Sequence, residues 1–328
     1  MRLLAFSVLA SALVCAAQPG SVGAPGLGFA YDSRSGAIRP IRGIPGAALL
    51  GDALPGDASA ALTGAAISPR QDLALATAAG APLRVIRLDG GGAMPIPGAL
   101  AAPAHIAFSP SGHAALLTGS AIQIVTGLAD SPAVRSLDSP ALAATPVAAA
   151  LSDDAQAVLL ASGTDPGDPV WFLGSDGSAL QLPLPGSIAA AAFRRDSRDA
   201  VAVARSGDVY LVRNAGPNAE IRQVYAGDDQ TAGPTAIQFS ADGTHAFTAN
   251  SRGWITAIDL AAGSAAAVSC HCTPGTLEPL GGVTGGSALF RLTEISGSPM
   301  LLFDASGSEP RVWFVPPDPA GDAERSAQ

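Results

Sequence analysis

The most regular stretch of the chain reads Pro234-Thr-Ala-Ile-Gln-Phe-Ser-Ala-Asp-Gly-Thr-His-Ala-Phe-Thr-Ala-Asn-Ser-Arg-Gly-Trp-Ile-Thr-Ala-Ile-Asp-Leu-Ala-Ala-Gly263. Its pattern predicts a strand that ends at Phe239, a second strand around residues 246–249 and a third over residues 254–260. The Ser-Ala-Asp-Gly and Asn-Ser-Arg-Gly segments between them supply residue types that accept the positive φ angles of tight hairpins. The stretch therefore predicts a meander of antiparallel strands.

The same sequence pattern recurs along the chain with a nearly constant period. Each copy contains a short apolar strand, a polar turn and two further strands, and the last copy, over residues 280–303, is the least regular. The residues that enter the first turn lie about 43 residues apart on average, which is the spacing of four-stranded propeller blades. These residues are Ser68, Ser109, Ser152, Arg194, Ser240 and Thr284.

One period before Ser68 the chain offers only part of a copy. Residues 28–32, a Ser-Arg-Ser-Gly turn and residues 37–41 match the outer half of the repeat. A blade cannot bury both faces alone, so the copies must stack into a closed ring without exposed edges. We predict an all-β fold, a β-propeller of seven blades built from four-stranded antiparallel sheets. Six blades are the alternative if the first segment only completes the last blade. We expect the strand over 311–315 to pair near the N-terminal strands and to close the ring.

The N-terminus has the pattern of a secretory signal. Arg2 precedes an apolar run from Leu3 to Val14, and small residues follow up to Ala17. The run is too short to span a bilayer, and cleavage after Ala17 fits the small residues there. Lipoprotein anchoring through Cys15 is the second interpretation, although Val14 is a poor residue before a lipidated cysteine. In both cases the mature protein is exported to the periplasm, to the outer surface or into the medium.

The composition is that of one exported, turn-rich domain. Charged residues make up 14% of the 328 residues, the net charge is −9, and every basic side chain is Arg. This acidic balance argues against nucleic-acid binding, which needs basic clusters. We predict a monomer with no transmembrane helix in the mature chain. The predicted organisation is a signal peptide over 1–17, a linker over 18–25, a propeller over 26–316 and a flexible tail over 317–328.

The repeats resemble the YVTN-type, WD40-like β-propeller repeats of bacteria. The resemblance rests on the residues from Phe239 to Gly243, from Phe247 to Asn250 and from Ile255 to Gly263, and the turn from Ser109 to Gly112 fits it as well. Such repeats define a fold that serves surface and periplasmic binding proteins as well as sugar-lactonase-like propellers. The resemblance therefore implies the architecture and leaves the activity open.

Cys270-His271-Cys272 is the local feature that invites chemistry. If the signal peptide with Cys15 is removed, Cys270 and Cys272 are the remaining cysteines and have no other intramolecular partner. In an oxidising compartment two such cysteines can form a disulfide. We predict a disulfide between Cys270 and Cys272, with a reduced pair and a metal or redox role as the alternatives. A structural zinc site needs four ligands, which this segment does not supply.

The remaining candidates for chemistry are few. His105 begins an inner strand and is a candidate for facing the central channel. The sequence shows no phosphate-binding loop and no Gly-x-Ser-x-Gly elbow, and the Asp165-Pro-Gly-Asp168 segment lacks the carboxylate pattern of a calcium loop. We therefore assign no catalytic, cofactor-binding or metal-binding residue and expect no cofactor.

Two functions fit these observations. The first is a non-catalytic propeller of the cell envelope or periplasm that serves as a protein- or glycan-binding scaffold. The alternative is an exported hydrolase of the lactonase type that acts on a small sugar-derived substrate. The hydrolase needs a histidine, an acid and an arginine at one mouth of the channel, and His105 is its candidate anchor. The question of enzymatic activity stays open, and the sequence favours the scaffold.

Overall fold

The computed structural model describes most of the chain. The predicted signal peptide with Cys15, the linker before Pro25, the turn residue Thr284 and the tail beyond Pro317 lie outside the described residues. The described ranges are 25–55, 61–90, 92–138, 146–162, 165, 167–184, 187–281, 288–307 and 309–317.

The described residues form seven antiparallel sheets, so the prediction of an all-β propeller with seven blades is confirmed. The first sheet has three strands and the other six have four each. Blade 1 contains β1 (Gly26–Asp32), β2 (Ala37–Ile44) and β3 (Ala47–Leu50). Blade 2 contains β4 (Leu62–Ile67), β5 (Leu73–Ala78), β6 (Arg84–Arg87) and β7 (Gly92–Pro95). Blade 3 contains β8 (His105–Phe108), β9 (Ala115–Thr118), β10 (Ile122–Thr126) and β11 (Ala133–Leu137).

The remaining four blades follow the same order, from the inner strand outward. Blade 4 contains β12 (Ala148–Leu151), β13 (Ala157–Ala161), β14 (Val170–Gly174) and β15 (Ala179–Leu182). Blade 5 contains β16 (Ile188–Phe193), β17 (Ala200–Ala204), β18 (Val209–Arg213) and β19 (Glu220–Tyr225). Blade 6 contains β20 (Pro234–Phe239), β21 (His245–Asn250), β22 (Trp254–Asp259) and β23 (Ala265–Ser269). Blade 7 contains β24 (Glu278–Leu280), β25 (Leu289–Arg291), β26 (Met300–Asp304) and β27 (Arg311–Val315).

The core lies between neighbouring blades. The second and third strands of each complete blade read as short apolar runs, because both of their faces are covered by an adjacent sheet. Leu116 of blade 3 and Leu160 of blade 4 are fully buried in one such cluster. Full burial of a leucine contributes about 2 kcal/mol. The inner strands are rich in alanine, and such small side chains suit close packing near the axis.

Blade 1 corresponds to the outer three strands of the repeat. The Leu62 N–H donates to Gly36 O, and the Tyr31 hydroxyl donates to Leu62 O, so the end of β1 lies beside the start of β4. The turn after β17, the second strand of blade 5, lies in the same way beside the start of β20, because the Gly233 N–H donates to Arg205 O. β1 is therefore equivalent to a second strand. Among the described residues blade 1 has no inner strand, and blade 7 shares none with it because blade 7 has its own four strands.

The inner strand of the last blade begins earlier than its sequence predicts. The irregular copy predicts a strand from Leu280 to the turn residue Thr284, whereas β24 covers Glu278–Leu280. The ladder explains the difference, since Glu278 pairs with Arg291 and Leu280 pairs with Leu289. The inner strand therefore begins before the predicted segment and carries a charged residue, Glu278, that the repeat pattern does not predict.

The C-terminal strand closes the ring by packing. The sequence predicts that residues 311–315 pair near the N-terminal strands, but the hydrogen bonds of β27 go to β26 of blade 7. The indole of Trp313 instead lies against Gly46, where an added Cβ would come within 2.9 Å of the ring. Val315 is fully buried in a cluster with Ala30 and Ile41 of blade 1. The predicted pairing is therefore wrong, because blade 7 already supplies four strands of its own.

One side chain spans the position of the missing inner strand. Gln71, on the first turn of blade 2, accepts a hydrogen bond from the Phe29 N–H at 2.6 Å. Its amide nitrogen donates to Pro279 O of blade 7 at 2.8 Å. Gly28 leaves the room that this contact needs, since an added Cβ would lie 2.7 Å from the Gln71 amide oxygen. Gln71 thus joins blades 1, 2 and 7 where the ring closes.

Candidate functional site

The axial channel contains a cavity of about 330 Å³. Each inner strand pairs on one side only, so its other edge leaves peptide groups directed towards the axis. Most of the wall consists of alanine and of apolar residues at the ends of the inner strands. The polar side chains in it belong to blades 5 to 7 and are Arg195, Gln238, Ser240, Thr276 and Glu278.

One position on the inner strand differs between the blades. In blades 2 to 5 the residue at this position is alanine, and its side chain faces the next blade around the ring. Blades 6 and 7 carry Gln238 and Glu278 there. The cross-strand pairs at this position are Ala66–Leu75, Ala107–Leu116, Ala150–Leu159, Ala192–Val201, Gln238–Phe247 and Glu278–Arg291. Polar side chains therefore replace alanine on two adjacent blades, at one level of the channel.

Glu278 and Arg291 form an ion pair in the channel wall. The Arg291 Nε donates to Glu278 Oε2 at 3.1 Å, and a second guanidinium nitrogen binds the same oxygen. The third nitrogen of Arg291 donates to Thr293 O. The Arg291 side chain is 7% exposed and the Glu278 side chain 37% exposed. Arg291 is thus buried behind a carboxylate that reaches the channel.

Hydrogen bonds between blades organise the rim of the channel. One carboxylate oxygen of Asp153 accepts from the Ser111 N–H at 2.6 Å and the other from the Asp196 N–H at 2.8 Å. Asp153 of blade 4 thereby holds the turns of blades 3 and 5. Beside it, Arg198 of blade 5 forms an ion pair of 3.1 Å with Asp154. The acidic residues that the sequence shows at 153–154 are therefore engaged in rim structure.

The serine that recurs at the turn entry caps the turn. Ser109, Ser152 and Ser240 each accept a hydrogen bond from the backbone N–H five residues later. Ser240 also donates to Asp242, and this hydrogen bond is the main cause that lowers the pKa of Asp242 to about 2. The repeated serines and aspartates thus stabilise the hairpins, and their recurrence reports the fold.

The structure separates the two candidates that the sequence singles out. His105 is exposed at the start of β8 and is absent from the residues that line the cavity. Cys270 and Cys272 lie in the connection between blades 6 and 7, where a disulfide joins them with their Cα atoms 5.1 Å apart. Cys270 is buried, and the intervening His271 is exposed with a φ of 50°. His105 and the cysteine pair therefore lie on different blades and form no common site.

The described residues offer no obvious metal centre. Within the ranges given above, no three or more His, Cys, Asp or Glu side chains converge as ligands would. Asp168 accepts a hydrogen bond from the Asp165 N–H, which agrees with a turn there. The same part of the chain contains no helix with the length and hydrophobicity of a membrane span.

Sequence reasoning missed Gln238, Glu278, Arg291 and Gln71. Gln238 lies two residues before a recognised turn entry, where blades 2 to 5 have alanine, so a comparison of the copies position by position detects it. Glu278 was hidden by the misplaced last strand. Gln71 has no sequence signal, because its partners lie 42 and 208 residues away.

Comparison with known proteins supports the fold. No family model and no curated protein matches the sequence. Among solved structures, a functionally unknown protein from Desulfotomaculum acetoxidans DSM 771 is similar, with a TM-score of 0.59 and 13% identity. The match covers 90% of this chain and 100% of that chain. At this identity the likeness shows a shared fold, so the chain is a seven-bladed β-propeller whose activity must be argued from its own residues.

Proposed function

We propose that this protein is a non-catalytic scaffold of the cell envelope or periplasm that binds a protein or glycan partner at its channel mouth. The observation that carries the proposal is the rim, where Asp153 and its neighbours fix the turns of successive blades. A rigid rim around a cavity of about 330 Å³ is a preformed concave site, which is the usual form of a binding site.

The polar groups at this site favour binding over catalysis. A general acid, base or nucleophile needs a partner that activates it within hydrogen-bonding reach. Glu278, the carboxylate of the cavity wall, is held by Arg291, and the rim aspartates accept hydrogen bonds from backbone groups. Both arrangements hold the carboxylates in fixed positions, which suits a recognition surface. In our proposal, the signal predicted over residues 1–17 directs export of the protein, so that this surface lies in the envelope.

Blocking the mouth tests the proposal. Ala241 is exposed in the first turn of blade 6 and lines the cavity, so Ala241→Trp should obstruct the entrance. Ala261 is exposed in an outer turn of the same blade, and Ala261→Trp is the matched control. The mature protein is applied to an array of bacterial envelope glycans, and a photo-reactive residue at position 241 captures protein partners. We expect specific binding that Ala241→Trp abolishes and Ala261→Trp retains.

The alternative function is a lactonase-type hydrolase, and an activity assay distinguishes it from the scaffold. His105, its candidate anchor, is exposed and outside the cavity lining. Turnover of a panel of sugar lactones by the purified protein, lost in His105→Ala, would overturn the scaffold proposal. No turnover, with binding retained by His105→Ala, is the result expected of a scaffold.

A further inference from the structure

The repeat itself supplies an internal comparison for the channel wall. Four successive blades place alanine at one register position, and the next two place Gln238 and Glu278 there. An inner-strand alanine satisfies the fold at this position four times. The two long polar side chains on adjacent blades are therefore a departure that the fold does not require, and such departures concentrate at functional sites.

Stability does not account for the departure. An ion pair with a buried member is often no more stable than a well-packed apolar pair of similar size, because both charges lose water. Arg291 is buried, and the equivalent residues of blades 2 to 5 are leucine or valine. The missing inner strand of blade 1 leaves Glu278 facing water and so explains one polar residue. It does not explain Gln238, which faces blade 7, where the inner strand is present.

The free hydrogen-bonding groups of this wall define the ligand chemistry. The Glu278 Oε1 atom and the Gln238 side-chain amide bind no other group in the described part of the chain, and both residues line the cavity. Together they offer a carboxylate acceptor, an amide acceptor and an amide donor. A hydroxyl group both donates and accepts, so neighbouring hydroxyls of one molecule match this set. Arg291 balances the charge of Glu278, which weakens the attraction for a cation.

The other side of the cavity is apolar. Ile106, Ala107 and Phe108 of blade 3 line it, as do Ala149 and Ala150 of blade 4. A ligand that fits between the two sides needs one edge of hydroxyls and one face of C–H groups. A neutral sugar ring has both.

We propose that the wall formed by Gln238 and Glu278 binds the neutral terminal sugar of a glycan, with Arg291 holding the Glu278 carboxylate in place. The inference rests on the proposed function, and it names the class of ligand for the channel. In this arrangement the Glu278 Oε1 accepts a hydrogen bond from one sugar hydroxyl. The Gln238 amide donates to a neighbouring hydroxyl, and the apolar side of the cavity covers a face of the ring.

Replacement of these residues by those of the other blades tests the inference without loss of the fold. Gln238→Ala restores the alanine of blades 2 to 5, and the double variant Glu278→Ala/Arg291→Leu restores an apolar pair. Gln181→Ala is the matched control, because Gln181 is exposed on an outer strand of blade 4. The probes are the methyl glycosides of glucose, galactose and mannose, and N-acetylglucosamine. Ethanolamine and inorganic phosphate serve as charged probes, and binding is measured by calorimetry and by ligand-observed NMR.

We expect at least one neutral sugar to bind the wild-type protein and the Gln181→Ala variant. Gln238→Ala and Glu278→Ala/Arg291→Leu should each weaken that binding at least tenfold, with unfolding midpoints at or above that of the wild type. Equal sugar affinity in all variants, binding of ethanolamine or phosphate instead of sugars, or no sugar binding at millimolar concentration would each overturn the inference. Failure here is distinguishable from failure of the scaffold proposal. Array binding that Ala241→Trp abolishes but Gln238→Ala retains leaves the scaffold standing and removes only the sugar assignment.

Discussion

Gln71→Ala should destabilise the propeller at the point where the ring closes. Gln71 is 8% exposed, and the two hydrogen bonds of its side chain, of 2.6 and 2.8 Å, reach Phe29 N and Pro279 O. An intramolecular hydrogen bond contributes about 1 kcal/mol net, and a buried group left without a partner costs about 1–3 kcal/mol. The channel beside blade 7 admits water, so the lower part of that range applies. We expect a loss of about 2–3 kcal/mol in the free energy of unfolding.

Urea unfolding measures this loss, and Gln123→Ala is the matched control. Gln123 is also 8% exposed, accepts from the Leu100 N–H at 2.8 Å and donates to Gly98 O at 3.1 Å. Its partners lie only 23 and 25 residues away, so its loss opens a local connection. We expect similar free-energy losses from both variants. In hydrogen exchange, only Gln71→Ala should deprotect the amide of Gly281, which binds Leu27 O of blade 1. Wild-type protection of Gly281 in Gln71→Ala would refute the assignment of Gln71 to ring closure.

A double-mutant cycle with Gly28 isolates the contact. Gly28→Ala places a methyl group 2.7 Å from the Gln71 amide oxygen, and the φ of 147° at Gly28 adds backbone strain. Gln71→Ala removes the steric part of that cost and leaves the strain. The combined variant should therefore lose less stability than the two single losses together, by at least about 0.5 kcal/mol. Additive losses would show that the two residues do not touch.

Further predictions concern the rim, the titrating groups and the cysteines. Asp153→Ala removes the acceptor of two backbone N–H groups on neighbouring blades and should cost about 1–2 kcal/mol in urea unfolding. Because the pKa of Asp242 is lowered to about 2, its contribution exists above the ordinary value of 3.8 and disappears as the pH falls towards 2. Asp242→Asn should therefore flatten the loss of stability between about pH 5 and pH 2. The hydrogen bond to the Asp228 carboxylate raises the pKa of Tyr225 to about 12, so the stability that this hydroxyl adds below its ordinary pKa of 10 is lost as the pH rises from 10 to about 12. Reduction of the pair Cys270–Cys272 should release two titratable thiols and cost about 1–2 kcal/mol, because the closed loop is short.

Local sequence patterns determined most of the fold. The alternation of apolar strands with Asp-Gly and Asn-Ser-Arg-Gly turns specifies hairpins through contacts between near neighbours, and β20, β21 and β22 follow it closely. The period of about 43 residues then predicted seven blades with six as the alternative, and the seven sheets of the structure decided between them. The partial first copy could also be recognised from the sequence, because residues 28–41 match the second and third strands of the repeat.

The site depends on contacts that no local pattern records. The position of the polar wall depends on the register of β24, which places Glu278 opposite Arg291. The sequence pattern does not reveal this register. The exposure of His105 outside the cavity lining was equally beyond the sequence, since the inner-strand pattern is the same at both ends of the channel.

The sequence by itself determined a chain of repeated antiparallel strand units, because strand and turn preferences act over a few residues and repeat with the period. Only the tertiary structure decided how the ring closes and where its wall is polar. Gln71 meets a backbone group 208 residues away, and β27 closes the ring through Trp313 and Val315 without pairing with blade 1. Contacts at such separations depend on the packing of all the blades together, and a periodic sequence pattern does not specify them.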